Sequence, residues 1–173
     1  MTNQVIDTIK ARRSVRSYYS DRIPDELLSA VLEAGTYAPT GRNKQSPTII
    51  AVVSDKYRKI ISRMNAEIMG VDKDPYYGAP VVILVLASPE SNTYVEDASC
   101  VLENMMLTAT SLGLDSVWVH REKQMFESDE GKALLREWNL PETLIGVGSI
   151  ALGYSREEKK EASPRKADYI LKV

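Results

Sequence analysis

The sequence predicts an α+β protein with a sheet at its centre and helices around it. Short β-branched runs alternate along the chain with longer segments whose apolar residues recur every three or four positions. One run, Pro80 to Ala87, is apolar at nearly every position, which is typical of a strand covered on both faces. The chain shows no internal repeat, and its 173 residues suffice for one domain, 1–173, with its own hydrophobic core.

The helices follow from apolar spacing and from residues that favour helix ends. The first is predicted over Asn3–Arg12, and the second begins at Pro24 and ends near Gly35. Three more are predicted at 55–69, 96–112 and 129–138.

The helix at 96–112 carries an apolar seam with steps of three and four, made of Val95, Ala98, Leu102, Met105, Ala109 and Leu112. Val101 and Met106 widen the seam, so we expect this helix to be largely buried. It would serve either as a core helix alone or as one that also packs on a second subunit.

The strands are predicted at 48–54, 80–87, 115–120 and 144–152, from β-branched or apolar runs bounded by turn residues. The charged stretch from Tyr154 to Lys166 is expected to be irregular. The segment 167–173 is a candidate for one last strand.

Composition argues against several classes of protein. The net charge of −2 and the isoelectric point near 5.6 disfavour a general nucleic-acid binder. With Cys100 as the one cysteine and His120 as the one histidine, neither an intrachain disulfide nor a His/Cys zinc site can form. These counts leave a carboxylate-rich Mg²⁺ or Ca²⁺ site open, but the sequence has no EF-hand pattern, and we expect no metal. We also expect no membrane attachment and a cytoplasmic location, since the first residues lack the apolar core of a secretory signal and the longest apolar run is too short to span a bilayer.

Three familiar motifs fail on inspection. The glycines from Gly146 to Gly153 lie within a strand pattern and lack the spacing of a dinucleotide fingerprint. The stretch from Gly35 to Gly41 has the wrong length and no Lys-Ser/Thr pair for a phosphate-binding loop of the Walker type. Ser149 lacks the flanking glycines of a hydrolase nucleophile, and nothing in the sequence pairs His120 with one.

Basic residues cluster at both ends of the chain. Arg12-Arg13-Ser14-Val15-Arg16 follows the first helix, and Pro164-Arg165-Lys166 precedes the terminal segment. Arginines after a helix often only solvate its end and complement its dipole. The guanidinium fork is also well suited to phosphate, and the two clusters could converge on one phosphate dianion.

Several further motifs follow the Arg12–Arg16 cluster along the chain. They are Ala38-Pro-Thr-Gly-Arg-Asn-Lys-Gln-Ser-Pro47, Gly78-Ala-Pro80 before a strand, the stretch from Gly113 to Trp118, and Leu152-Gly-Tyr154 followed by the basic Pro-Arg-Lys segment. In this order the motifs resemble those of the FMN-dependent nitroreductase family. The resemblance covers nearly the whole chain and implies a central, mostly antiparallel sheet and a homodimer with FMN at the subunit interface.

The resemblance also implies which residues bind FMN. Arg12, Ser14 and Arg16 would contact its phosphate, its ribityl chain or its pyrimidine edge, and Arg13 would contribute mainly backbone. Arg165 and Lys166 would complete the phosphate site. Pro39, Thr40, Asn43 and Gln45 would come from the partner subunit and line the flavin. Val119 and His120 lie where the family often brings backbone against the flavin. Asn65 is a candidate for a contact with the pyrimidine end of the flavin. The family's usual lysine before the Pro-Arg pair is replaced by Ser163, so the exact phosphate ligands stay open.

The activity implied is a ping-pong transfer of electrons from NAD(P)H through FMN to an electron-poor acceptor, such as a nitroaromatic or a quinone. The flavin carries the chemistry, so no catalytic side chain is assigned. The alternative is a protein that binds or stores flavin without NAD(P)H turnover. Tyr76 and Tyr77 could stack on an aromatic acceptor, although packing at the edge of the sheet is favoured for them.

Overall fold

The computed structural model describes residues 2–173 and has one four-stranded sheet. Its strands are β1 (Pro47–Val52), β2 (Val81–Ala87), β3 (Asp115–Val119) and β4 (Ile145–Gly153). Their order in the sheet is β1-β2-β4-β3, and every neighbouring pair is antiparallel. The predicted α+β fold with a central antiparallel sheet is confirmed.

Six α-helices accompany the sheet in the described part of the chain. They are α1 (Gln4–Ala11), α2 (Asp25–Thr36), α3 (Asp55–Met69), α4 (Tyr94–Ser111), α5 (Glu122–Glu127) and α6 (Asp129–Glu137), and a single 3₁₀ turn covers Gly41–Asn43. The sequence predicted all of them except α5 and the 3₁₀ turn. None of the helices within 2–173 has both the length and the apolar character required to cross a membrane.

Strand β2 lies between two layers of helices, which confirms its predicted burial on both faces. Its residues alternate between the layers, because successive side chains of a strand point to opposite sides. Ile83 and Val85 belong to the core cluster that also contains residues of α2 and α4. Leu84 and Leu86 belong to the cluster that contains residues of α3, α5 and α6. Burying one such leucine stabilises the fold by about 1.5–3 kcal/mol.

Helix α4 is a core helix, as the apolar seam predicts. Ala98, Leu102, Met105 and Ala109 are fully buried and pack beneath the sheet, whereas Val95, at the start of the seam, is 45% exposed. Most of the seam is therefore used within one chain.

The C-terminal segment does not form the last strand that its sequence suggested. Residues 167–173 have no strand partner, and Tyr169 N–H donates only to the carbonyl of Lys166, at 3.3 Å. A strand needs a sheet edge to hydrogen-bond to, and the segment reaches neither β1 nor β3 of its own chain. Its apolar side chains, Tyr169, Ile170, Leu171 and Val173, are all more than two thirds exposed.

Candidate functional site

The basic segment after α1 is tied to the edge of the sheet. Arg12 caps the helix, with its N–H donating to the carbonyl of Thr8 at 3.0 Å. Ser14 then forms a bridge with Ser116 of β3, and the buried Val15 donates its N–H to the Ser116 carbonyl at 3.2 Å. With Val15 turned into the core, its neighbours along the extended backbone face outward.

These outward-facing residues form one wall of a cavity of about 890 Å³, and the charged tail forms the other. The lining comes from two stretches, 9–16 and 157–165. Its cationic side chains outnumber its acidic ones by seven to three, so the cavity favours an anion. The cations are Lys10, Arg12, Arg13, Arg16, Lys159, Lys160 and Arg165, and the acids are Glu157, Glu158 and Glu161.

The guanidinium groups in this cavity differ in their partners. Arg13 donates to three carbonyl oxygens, those of Lys10, Arg12 and Lys160, at 2.7 to 3.0 Å, and so fastens the tail to the end of α1. Arg12 has only a weak ion pair, with Nε 4.0 Å from Glu103 Oε1.

Arg16 and Arg165 bond to carbonyl oxygens of the exposed surface nearby, those of Ser14 and Ser163. Together with Arg12, they have more unused guanidinium donors for an anion than Arg13 has.

Lys166 differs from Arg165 in its position. It does not line the cavity, and its Nζ lies 4.0 Å from Asp168 Oδ1. Its contact with a cofactor stays a prediction from the sequence.

The segment 39–45 lies outside this cavity, at the start of α4. The N–H of Gly41 donates to Oδ1 of the buried Asp97 at 2.9 Å, which anchors the loop. Gln45 donates its N–H to Thr40 Oγ1 and its side-chain amide to Asn43 Oδ1. Within one chain, this loop therefore presents exposed polar groups, together with exposed Pro39, and does not meet the cavity of the same chain.

Glycine is required at position 41 by close packing. A Cβ at Gly41 would lie 2.2 Å from Thr93 Oγ1. Immediately after it, Arg42 and Asn43 both have φ of 54°, in the left-handed region.

Val119 is the last residue of strand β3, and His120, the last residue of the strand predicted at 115–120, follows it. Val119 is buried, whereas His120 is exposed, with its ring centroid 5.5 Å from that of Trp118. The carbonyl of His120 accepts a hydrogen bond from the side chain of Asn65 at 2.9 Å.

A buried polar network lies directly behind His120, and the sequence did not reveal it. Glu122 is fully buried, and its Oε1 accepts from Ser149 Oγ at 2.5 Å and from Tyr76 OH at 3.2 Å. Asn65, also fully buried, donates to Tyr76 OH at 3.1 Å and accepts from Nε of Arg121 at 2.7 Å. Tyr76 thus fills the interior, as the packing interpretation favoured, while Tyr77 beside it is exposed.

Burial dominates the acid–base behaviour of this network. It raises the pKa of Glu122 to about 7, although hydrogen bonds from Ser149 and Tyr76 and the charge of Arg121 act in the opposite direction. Burial also raises the pKa of Tyr76 well above its usual value, so this phenol stays neutral and can donate.

The sequence around Glu122 did not indicate that it is buried, because a glutamate between Arg121 and Lys123 is typical of the exposed start of a helix. The sequence signal that agrees with its burial is Gly146 on β4. A Cβ at Gly146 would lie 2.4 Å from the carbonyl carbon of Glu122, so the two backbones pack closely.

Among residues 2–173, no three histidine, cysteine, aspartate or glutamate side chains come together as metal ligands could. The candidate site therefore consists of a cationic cavity, an anchored polar loop and a rigid strand end.

Comparison with known proteins places this arrangement in a family. The model of the nitroreductase family matches residues 9–154. A protein of Archaeoglobus fulgidus, provisionally named NADH dehydrogenase/NAD(P)H nitroreductase, is 32% identical over 164 residues, which cover 90% of this chain and 88% of that protein. The FMN reductase [NAD(P)H] of Bacillus subtilis is 30% identical over 160 residues, which cover 92% of this chain and 57% of that protein.

Solved structures of nitroreductases share the fold of this chain. The fold is similar to a nitroreductase with bound FMN from Bacteroides fragilis, with a TM-score of 0.91 and 33% identity over 99% of this chain and all of that one. A nitroreductase with bound FMN from Desulfitobacterium hafniense matches over the whole of both chains, with a TM-score of 0.89 and 26% identity. The chain belongs to the nitroreductase family.

Proposed function

We propose that this protein is an FMN-dependent oxidoreductase that passes electrons from NAD(P)H to an electron-poor acceptor, such as a nitroaromatic or a quinone. The cationic cavity between α1 and the tail is the observation that carries this proposal. It supplies the anion site that a phosphorylated flavin requires, on a fold that relatives named for NAD(P)H and FMN chemistry share.

The residues present fit the phosphate end of FMN. Arg12, Arg16 and Arg165 bring guanidinium donors to one cavity, and Ser14 lies between the first two with a hydroxyl that can donate. Arg13 acts by holding the tail in place, since its side chain is bonded to backbone carbonyls. Lys166 is an additional phosphate ligand in this proposal, carried only by the resemblance.

When bound, FMN supplies the hydride-accepting and hydride-donating chemistry. The chain binds and orients it. The strand end at Val119 and His120 offers backbone to the flavin, and Arg16 places a cation near the cavity, where it stabilises negative charge. No side chain is assigned as a catalytic acid or base, because this chemistry does not require one.

The proposal includes a homodimer in which Pro39, Thr40, Asn43 and Gln45 reach the flavin of the partner subunit. Exposed apolar surface supports it. Helix α1 has no buried residue, and its Val5 and Ile9 are 66% and 53% exposed beside a groove that Leu107 of α4 helps to line. The apolar side chains of 167–173 are exposed as well. Such an accumulation is unusual for a monomer and suits a second copy.

We also take the whole chain, 1–173, as one FMN-binding domain that acts in the cytoplasm. The single cysteine agrees with a reducing compartment.

Absorbance spectroscopy of the purified protein tests the function directly. The protein should carry flavin absorbance in the visible range, and NAD(P)H should bleach it until an acceptor restores it. Flavin absorbance without bleaching by NADH or NADPH would leave a flavin-binding or storage protein. A colourless protein that FMN cannot reconstitute would refute both.

The phosphate site is tested by Arg12→Ala, with Arg22→Ala as the matched control. Arg22 is an exposed arginine whose ion pair with Asp25 lies outside the cavity. We expect Arg12→Ala to weaken FMN binding by about 1.5–3 kcal/mol, the contribution of a charge-assisted hydrogen bond. Equal affinities for the two variants in an FMN titration would exclude Arg12 as a phosphate ligand.

The dimer is tested by Val5→Glu in analytical ultracentrifugation. Val53→Glu is the control, since Val53 is similarly exposed, at 58%, but lies outside the groove between α1 and α4. The first variant should sediment as a monomer and the second as a dimer. A wild-type monomer that holds FMN tightly would contradict the interfacial site.

A further inference from the structure

Arg121 has a strained backbone at the point where β3 passes into α5. Its φ is 94° and its ψ is 4°, which places a long side chain in a region that favours glycine. Such a conformation is strained and persists only where its surroundings hold it. The neighbouring side chains should therefore show what fixes this residue.

A closed ring of hydrogen bonds surrounds the strained residue. Arg121 donates to Asn65, Asn65 donates to Tyr76, and Tyr76 donates to Glu122, which follows Arg121 in the chain. Asn65 also donates to the carbonyl of His120, so that it holds the peptide before Arg121 as well as its side chain. Asn65, Tyr76 and Glu122 are all at least 99% buried, and water does not compete for these bonds.

The ring determines the direction of one peptide group. The peptide between His120 and Arg121 is trans, so its C=O and N–H point in opposite directions. Its carbonyl points inward to Asn65, at 2.9 Å. The N–H of Arg121 therefore points away from the buried network, and no acceptor for it is present among residues 2–173.

Glu122, which is fully buried, closes the ring. Its Oε1 accepts hydrogen bonds from both Ser149 on β4 and Tyr76, while its Oε2 is buried without a partner. An acidic side chain buried in this manner costs free energy, and an apolar residue would fill the space at lower cost. The hydrogen bond that its Oε1 accepts from Tyr76 offsets part of this cost and completes the ring.

We propose that Glu122 is a positioning residue which, through Tyr76 and Asn65, fixes the His120–Arg121 peptide with its N–H turned toward the isoalloxazine ring. The inference rests on the proposed function, because it takes the end of β3 as the flavin-facing edge. Arg121 and Glu122 act on the flavin without supplying a catalytic side chain. In this proposal the N–H of Arg121 is a fixed dipole beside the isoalloxazine, and its orientation affects the reduction potential and the spectrum of the cofactor.

The test compares Tyr76→Phe with Tyr57→Phe. Both changes remove one phenol hydroxyl that donates to a glutamate, but the partner of Tyr57 is the exposed Glu137, at 2.6 Å, far from the ring of hydrogen bonds. Each protein is measured with FMN, for cofactor affinity, visible circular dichroism, midpoint potential and the rate of flavin reduction by NAD(P)H. Each is also measured without FMN, by the chemical shift of the Arg121 amide in ¹⁵N-labelled protein.

We expect Tyr76→Phe to keep its FMN affinity, since the phosphate site is untouched. It should nevertheless lose the wild-type dichroism, show a shifted potential and a rate reduced about tenfold, and have a displaced or broadened Arg121 amide resonance. Tyr57→Phe should match the wild type in all of these. Glu122→Leu should resemble Tyr76→Phe, and Glu122→Gln, which keeps the oxygen that accepts from Tyr76, should recover the wild-type signals.

If Tyr76→Phe and Tyr57→Phe coincide in the amide resonance and the dichroism, the ring does not hold the peptide and the inference is wrong. If Tyr76→Phe does not fold, Glu122→Leu and Glu122→Gln decide by the same signals. A wild-type protein that takes up no FMN would refute the proposed function, whereas the amide resonance, recorded without FMN, would still report on the ring.

Discussion

Replacing Glu122 with glutamine should change how stability depends on pH. Burial raises the pKa of Glu122 from 4.5 to about 7, so the folded protein holds this proton more tightly than the unfolded chain does. The contribution of Glu122 to the free energy of unfolding is therefore fully present below about pH 4.5. It is lost as the pH rises toward 7, and above pH 7 the ionised carboxylate destabilises the fold.

The magnitude follows from the difference between the two pKa values. That difference is about 2.5, and each tenfold change in proton affinity is worth about 1.4 kcal/mol, which gives about 3 kcal/mol between acidic and alkaline conditions. Glutamine has the shape of the protonated acid and does not titrate. Glu122→Gln should thus be more stable than the wild type by about 3 kcal/mol at pH 8 and differ from it by less than about 1 kcal/mol at pH 5.

The assay is urea unfolding at a series of pH values between 5 and 8, without added FMN, because a ligand would add its own stabilisation. For a chain of this length, the effect at pH 8 corresponds to about 6–12 °C in Tm. The control is Glu33→Gln, which removes an equal charge from an exposed position on α2. Parallel pH profiles for the wild type and Glu122→Gln would refute the buried-acid interpretation.

Three further predictions concern the rest of the site. Asp97→Ala should lower the free energy of unfolding by about 1–3 kcal/mol and weaken FMN binding, because the Gly41 N–H loses its acceptor. Unchanged midpoints in urea unfolding would show that other contacts hold the loop. Gly146→Ala should destabilise the protein by about 1–3 kcal/mol in thermal unfolding, since the added Cβ would overlap the backbone of Glu122. A variant as stable as the wild type would mean that α5 can shift away from β4. The affinity for FMN should fall as the salt concentration rises from about 50 to about 500 mM, since screening weakens the attraction between the exposed cations and a phosphate. An FMN affinity that does not change with salt would contradict a phosphate in this cavity.

The fold was predictable where the sequence pattern is strong. Strand β2 was identified correctly because a continuous apolar run between turn residues is typical of a strand buried on both faces, and α4 because its apolar seam keeps steps of three and four over most of its 18 residues. Helix α5 was missed because it has six residues and follows a left-handed arginine, a conformation for which the sequence gives no sign. The predicted last strand at 167–173 was wrong because strand-forming residues alone do not supply a sheet edge to pair with.

The site divides in a similar way. The two basic clusters could be brought together from chemistry alone, and Arg12, Arg16 and Arg165 do line one cavity. The interior behind His120 could not be foreseen, because Asn65 and Glu122 are polar residues that sequences usually place on the surface. Only the packing of α3, α5 and β4 shows that they face one another.

The cavity between α1 and the tail has a consequence for the whole chain. Arg12 and Arg165 lie near opposite ends of the sequence, and every residue from 156 onward is exposed, so the tail is held by polar contacts rather than by the core. A dianion bound by both ends acts as a removable cross-link that exists only in the folded state. At a hundred times its dissociation constant it stabilises the protein by about 2.7 kcal/mol. The charged tail thereby connects the attachment of the C-terminus to the occupancy of the cavity.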